Sequence, residues 1–330
     1  MSYPLGWSVI PQMMIKRERW PGGNSYRSVI PLVRPGQNVL PEQPVIRVEQ
    51  VRFQEVQPYQ ESRTSRSRLS LSSASNPALR AIPQAELAFS GLWGRVTELT
   101  RRGGVVIESR ATVIQGKLGV GYQVCGSLTL WHNGRITPQK PGTILVIPGP
   151  LTFSQLRQAS EAGVAGVIAG SITLRDLEGF LRVDLLQLLA SEQIERITAH
   201  LPRLTLMFTE GVGEFSMPAR IANLLSSYQG APVLLSGLTS TRLHLVPELL
   251  ISLPYNKQEH WTPVHPDLTL AIGAYVRINS GEYMGATGVI DYIFSYDQEF
   301  PSGIRTRAMR IMLEDGTPVV VPSTSLERLG

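Results

Sequence analysis

The chain has 330 residues, of which 42% are hydrophobic and 17% charged, and its formal net charge is +5. This length is sufficient for two or three domains, and the composition excludes a largely disordered protein. No apolar run reaches about 18 residues and no secretory signal is recognisable, so we expect neither a transmembrane helix nor export. The single cysteine, Cys125, forbids an internal disulfide, and we expect a small core residue in a cytoplasmic protein.

The basic charge is concentrated near the N-terminus. Residues 1–90 contain 11 Lys/Arg and 6 Asp/Glu, a net charge of +5, so residues 91–330 are neutral overall. We predict that residues 1–25 form a flexible tail, because a basic cluster around Lys16 is followed by Pro-Gly-Gly. Residues 58–90 are predicted to be a disordered linker, since this Ser/Arg-rich stretch has too few apolar side chains to offset the entropy of ordering.

Two β-rich stretches flank the predicted linker. In residues 26–57, short apolar runs are separated by Pro35-Gly36, which predicts a strand, a turn and a second strand. In residues 91–135, glycines separate further short strands. Together the two stretches resemble the halves of a barrel-sandwich hybrid, and the resemblance implies one discontinuous β module. The first half has no lysine for lipoyl or biotin attachment, and no nucleotide-binding glycine motif is complete.

Residues 136–256 change to an alternation of buried strands and helices. An apolar strand over Thr143–Ile147 is followed by apolar residues at helical spacing, and the same order then recurs. This alternation predicts a central α/β domain with a mostly parallel sheet. The run from Pro141 to Gly170 resembles the βαβ unit of protease-associated domains.

One loop of this predicted domain is a candidate for ligand binding, because it follows a buried strand and precedes a helix. The possible ligand loop consists of Glu210, Gly211 and Gly213. Its carboxylate would repel a phosphate. The alternative interpretation is that these are ion-paired or surface loop residues, with Arg220 and Arg242 as possible partners of the carboxylates.

The most informative stretch follows a Pro-rich connector over residues 257–267. Its pattern is carried by Gly273, Val276, Ile278, Gly281, Tyr283, Gly285, Gly288 and Ile290. This run resembles the KOW motif of bacterial transcription elongation factors and some ribosomal proteins. The resemblance implies that residues 268–330 form an SH3-like β barrel. Within it, Asp315-Gly316 is predicted to turn between a strand over 305–313 and a strand over 318–321.

The sequence predicts no catalytic residues, no metal and no cofactor. None of the histidines has zinc-site spacing, and no Gly-x-Ser-x-Gly motif is present. The predicted fold class is therefore α+β multidomain, with a discontinuous barrel-sandwich-like β module, a central α/β domain and a C-terminal SH3-like barrel. The histidines are His132, His200, His244, His260 and His265.

The preferred function is a non-catalytic binding or scaffold protein whose C-terminal barrel contacts another protein. Residues 268–330 hold 5 Arg and 7 Asp/Glu, a net charge of −2, which suits phosphate binding poorly. One alternative is a nucleic-acid-associated factor of transcription or translation, and another is an enzyme with a pocket in the α/β domain. The predicted partner-binding residues are Arg277, Tyr283, Tyr292, Phe294, Tyr296, Phe300, Arg305 and Arg307.

Overall fold

The structure is a computed structural model that describes most of the chain and is predominantly β. The described residues are 9–21, 26–54, 80–131, 134, 136, 139–185, 187, 204–240, 245–257 and 269–329. Residues 55–79, which contain most of the predicted disordered linker, lie outside them. Residues 258–267 of the Pro-rich connector, Arg242 and the five histidines also lie outside the described residues.

Eleven of the described strands form one large sheet. They are β1 (Val9–Arg19), β3 (Asn38–Val39), β6 (Gly94–Leu99), β7 (Val105–Gln115), β8 (Leu118–Val120), β9 (Gln123–Leu130), β10 (Thr143–Ile147), β11 (Gly166–Ile172), β12 (Thr205–Val212), β13 (Pro232–Ser236) and β14 (Glu248–Ser252). Their order is β3-β6-β7-β14-β13-β9-β10-β11-β12-β8, and β1 pairs with β7. Parallel pairing is confined to β9, β10, β11 and β12, and the other pairs are antiparallel.

Helices cover both faces of the parallel strands. The described helices that do so are α1 (Phe153–Glu161), α2 (Leu174–Leu181) and α3 (Ala219–Ser227). Alternate residues of β10, β11 and β12 pack with α1 and α2 on one face and with α3 on the other. Every residue of β10 and β11 is therefore buried, which explains why both strands are continuously apolar or small in the sequence.

The predicted boundary between residues 135 and 136 does not divide this sheet. Strand β9 lies before the boundary, yet it pairs in parallel with β10 and antiparallel with β13. Strand β14 then pairs with β7, so the predicted β module and α/β domain share one sheet. The sequence pattern could not reveal this, because β13 and β14 return to strands that lie more than a hundred residues earlier.

The predicted flexible tail is wrong for the part that the structure describes. Strand β1 pairs with β7 along most of its length, and Ile10 and Ile15 are fully buried in the core. Arg17 also forms a bidentate ion pair with Glu248, at 2.6 and 2.8 Å. The basic residues that suggested a solvated tail are therefore bound to the body of the protein.

The predicted linker is wrong at its C-terminal end. A second sheet contains β2 (Tyr26–Pro31), β4 (Pro44–Gln54) and β5 (Arg80–Phe89), in the order β2-β4-β5. Residues 80–89 therefore form a strand that pairs antiparallel with β4. The strand was missed because Pro83 and several alanines interrupt its apolar alternation.

The C-terminal segment, defined here as residues 269–329, has its own sheet and its own core. Its strands are β15 (Tyr275–Ile278), β16 (Thr287–Ile293), β17 (Gln298–Glu299), β18 (Arg305–Thr306), β19 (Ala308–Leu313), β20 (Pro318–Pro322) and β21 (Leu326–Arg328). Five of them form an antiparallel sheet in the order β20-β19-β16-β15-β21, and β17 pairs with β18 as a separate short hairpin. The predicted turn at Asp315-Gly316 joins β19 to β20, with Gly316 at φ +82°.

We expect Ile15→Ala to destabilise the chain by about 2 to 3 kcal/mol, because it leaves a cavity in the core beneath β1. Urea unfolding of the full chain measures the change. Its neighbour Met14 is 41% exposed, so Met14→Ala is a matched control with an expected change within about 0.5 kcal/mol. Equal effects of the two substitutions would mean that β1 does not pack on the sheet.

Candidate functional site

A cavity of about 540 Å³ lies between the carboxyl end of β12 and the C-terminal segment. Strand β12, the loop that follows it and α3 contribute Glu210, Phe215, Ser216, Pro218, Ala219, Arg220 and Ile221 to its lining. The C-terminal segment contributes Tyr275, Arg277, Met284, Gly285, Thr287, Glu314 and Leu329. The cavity thus lies at the edge of a parallel sheet where ligands of α/β proteins commonly bind.

The loop between β12 and α3 is held against the sheet by Ser171. The Ser171 hydroxyl accepts a hydrogen bond from the backbone N–H of Phe215 at 2.7 Å. It also lies 2.9 Å from the carbonyl oxygens of Gly213 and Phe215. The Met217 N–H donates to the carbonyl of Pro148, which follows β10. These contacts fix the start of α3 beside the cavity.

A buried ion pair forms the contact between the large sheet and the C-terminal segment at this cavity. Arg277 Nη2 lies 2.5 Å from Glu210 Oε2, and Nη1 lies 3.2 Å from Oε1. The two side chains are only 8% and 1% exposed. Lys117 Nζ lies 3.5 Å from the same carboxylate and is partly exposed. A carboxylate this deeply buried requires such partners, because desolvation of an unpaired charge costs several kcal/mol.

The wall formed by α3 carries positive charge. Arg220 lines the cavity, and its Nη1 donates a hydrogen bond to the carbonyl of Leu329 in the C-terminal segment. The N-cap position of α3 is Pro218, which makes no side-chain capping bond. The first N–H groups of the helix are therefore available beside the guanidinium, and the helix dipole adds partial positive charge there.

The opposite wall carries the carboxylate of Glu314. Its Oε1 accepts hydrogen bonds from the hydroxyls of Thr287 and Tyr275. These two bonds, the one from Thr287 first, lower the pKa of Glu314 below its ordinary value. The same contact raises the pKa of Tyr275, because ionising the phenol would place two negative charges together. Glu314 is consequently charged at neutral pH.

The predicted ligand loop is only partly at the cavity. Glu210 lines it, whereas Gly211 and Gly213 do not. Gly213 has a φ of +141°, and a Cβ there would lie 2.4 Å from the Phe215 ring, so this glycine serves the loop conformation. The ion-pair interpretation of Glu210 is confirmed, but its partners are Lys117 and Arg277. Their distance from Glu210 along the chain explains why the sequence did not identify them.

A second candidate site is the outer face of the C-terminal sheet. Two cross-strand rows of partly exposed side chains run over β15, β16, β19 and β20. In the first row, Val289 lies between Tyr275 and Met312 on the two neighbouring strands. In the second row, Arg310 lies between Tyr292 and Val320. The five apolar or aromatic members of these rows are between 38% and 46% exposed. We call these six residues the outer face.

Of the predicted aromatic residues, Tyr292 belongs to the outer face. Tyr292 and Phe294 contact each other edge to face, with ring centroids 5.0 Å apart. Tyr296 is 84% exposed, and Phe300 is half-buried next to the β17–β18 hairpin. Tyr283 is partly exposed in the turn before β16. None of these residues belongs to the apolar cluster that forms the described core of the C-terminal segment.

The predicted arginines have different environments. Arg277 is buried in its ion pair with Glu210 and does not lie on the outer face. Arg305 and Arg307 are exposed and have no ion-pair partner among residues 269–329 or elsewhere in the described part of the chain. Arg310, which was not predicted, pairs with Asp291 at 2.9 Å and lies over the Tyr292 ring. Val289, Met312 and Val320 were missed because single exposed apolar residues carry no distinctive sequence signal.

Among the described residues, no cluster of three or more His, Cys, Asp or Glu side chains is arranged to hold a metal ion. No described helix combines the length and apolar character that crossing a membrane requires. The sequence matches no protein-family profile and no curated protein.

Proposed function

We propose that this protein is a non-catalytic binding protein of the cytoplasm whose C-terminal segment docks a segment of another protein. The observation that carries the proposal is the outer face, where two cross-strand rows leave apolar and aromatic side chains uncovered. A contiguous surface of this kind is typical of interaction sites, and aromatic and arginine residues commonly supply the binding energy.

The chemistry of the partner follows from the charges around this face. Arg310 is neutralised by Asp291, whereas the exposed Arg305 and Arg307 have no described carboxylate partner. A complementary segment would place apolar side chains on Val289, Met312 and Val320 and a carboxylate near the two arginines. Most of the affinity would then come from apolar burial, so it would depend only modestly on salt.

We also propose that the C-terminal segment is an SH3-like barrel of the KOW type. Two observations support this proposal. The first strand of the segment, β15, lies between β16 and the last strand, β21, and tight turns occur at Gly285 and Gly316. The remaining described residues would comprise the β module and the α/β domain, which share the large sheet and a core cluster that joins Ile114 and Leu128 to Ile144 and Ile168.

Peptide selection on the full chain tests the docking proposal. Random displayed peptides would be selected on the wild type and then measured against the double variant Met312→Ser, Val320→Ser. We expect at least about a tenfold loss of affinity, equivalent to about 1.4 kcal/mol, because both side chains lie on the outer face. Leu87, which is 49% exposed on β5, provides the control Leu87→Ser with unchanged affinity. Peptides that bind the double variant as tightly as the wild type would contradict the proposal.

A nucleic-acid-associated factor of transcription or translation is the second candidate. It is favoured by the exposed Arg305 and Arg307 and by the exposed Tyr296 of the same segment, because aromatic side chains can stack on single-stranded bases. It is disfavoured by the net charge of the segment and by the burial of Arg277.

A further inference from the structure

We propose that the cavity between α3 and the C-terminal segment binds a small zwitterion with an apolar body, its carboxylate toward Arg220 and its ammonium group toward Glu314. The volume of about 540 Å³ is within the range of small-molecule sites, about 300 to 1,000 Å³. The site shares Tyr275 with the outer face but none of its other five members. This inference does not depend on the proposed docking function.

Arg220 supplies the recognition of a carboxylate. A guanidinium carries five N–H donors, and the described contacts of Arg220 use one nitrogen, Nη1, for the Leu329 carbonyl. This bond positions the side chain at the cavity and leaves donors that can bind a carboxylate in bidentate fashion. The partial positive charge at the start of α3 has the same sign as the guanidinium, so it also favours a carboxylate.

Glu314 supplies the recognition of an ammonium group. Its Oε1 is held by the hydroxyls of Thr287 and Tyr275, whereas its Oε2 accepts no hydrogen bond from the described residues. The carboxylate is thus fixed in orientation with one oxygen still able to accept. A cationic donor satisfies that oxygen better than a neutral one, because charge-assisted hydrogen bonds are about twice as strong.

The rest of the cavity selects against ligands with a single charge. Glu210 is paired with Arg277 and Lys117, so its carboxylate adds no unpaired negative charge to the site. The carboxylate of Glu314 would repel a simple anion, and the guanidinium of Arg220 would repel a simple cation. Phe215, Ile221 and Met284 provide apolar surface for the body of the ligand. An amino acid or short peptide with an apolar side chain combines these features.

Calorimetric titration of the full chain with L-phenylalanine and with the dipeptide Ala-Phe tests this proposal. We expect saturable binding of at least one probe. We also expect at least about a tenfold weaker affinity for its N-acetyl form and for its carboxamide form, because each lacks one charge. The variant Arg220→Gln should lose the preference for the free carboxylate, and Glu314→Gln the preference for the free ammonium group.

Two controls keep this test independent of folding and of the docking function. Arg157 is 69% exposed on α1, so Arg157→Gln should bind the probe as the wild type does. The outer-face variant Met312→Ser, Val320→Ser should also bind the probe normally, even if it no longer binds selected peptides. Absence of saturable binding by both probes, or equal affinity for a probe and its blocked forms, would overturn the proposal.

Discussion

Replacing Arg277 with alanine is expected to destabilise the folded chain by about 3 to 5 kcal/mol, because it leaves the carboxylate of Glu210 buried without its main partner. Glu210 is 1% exposed, and the remaining cation, Lys117, lies 3.5 Å away at a partly exposed position. Urea unfolding of the full chain, followed by circular dichroism, measures the loss.

Two further variants identify the cause of that loss. Arg157→Ala removes an exposed ion pair with Glu161 on α1 and should cost less than about 1 kcal/mol. The double variant Glu210→Met, Arg277→Met removes both charges and should be clearly more stable than Arg277→Ala alone. If Arg277→Ala costs no more than Arg157→Ala, Glu210 is hydrated and the two parts of the protein are not held together as described.

Replacing Gly288 with valine should disrupt the C-terminal sheet at a cost of about 3 kcal/mol or more. A Cβ at this position would lie 2.3 Å from the carbonyl oxygen of Met312 and 2.9 Å from Ile311 Cγ2. Both contacts belong to β19, the strand that pairs with β16, so the substitution forces the two strands apart. Hydrogen exchange of the full chain would show faster exchange across β16 and β19.

Gly285 provides a comparison with a different physical cause. It has a φ of +92°, but a Cβ there would meet no atom within 4 Å. Gly285→Ala should therefore cost only the strain of a left-handed conformation, about 1 to 2 kcal/mol, and leave strand pairing intact. Equal protection of β16 and β19 in Gly288→Val and the wild type would show that the described strand register is wrong.

The C-terminal segment was the most predictable part of the fold because its signals are local. Glycines mark its turns, and Asp315-Gly316 specifies a hairpin within four residues of sequence. The predicted strand over 305–313 corresponds to β18 and β19 with a short interruption. In these cases, backbone conformation is set by neighbouring residues, and the sequence pattern is sufficient to identify it.

Sequence reasoning failed where pairing depends on distant partners. Strand β1 has a basic, proline-containing sequence, and it is ordered by β7, about ninety residues later. Glu210 and Arg277 are 67 positions apart in the chain. Arg220 and Glu314 line the same cavity only because α3 and the end of β19 come together in the fold. A single sequence shows that these side chains are charged but does not show which of them meet.

The most direct test is the salt dependence of single-stranded RNA binding by the full chain. It decides whether the C-terminal segment binds a protein or a nucleic acid. Because residues 1–90 are basic, the wild type is compared with the double variant Arg305→Ala, Arg307→Ala, which changes only the C-terminal segment. We predict that the double variant binds RNA as the wild type does at every salt concentration. Micromolar binding by the wild type with a log–log slope of about −3 or steeper, lost in the double variant, would contradict the protein-docking function.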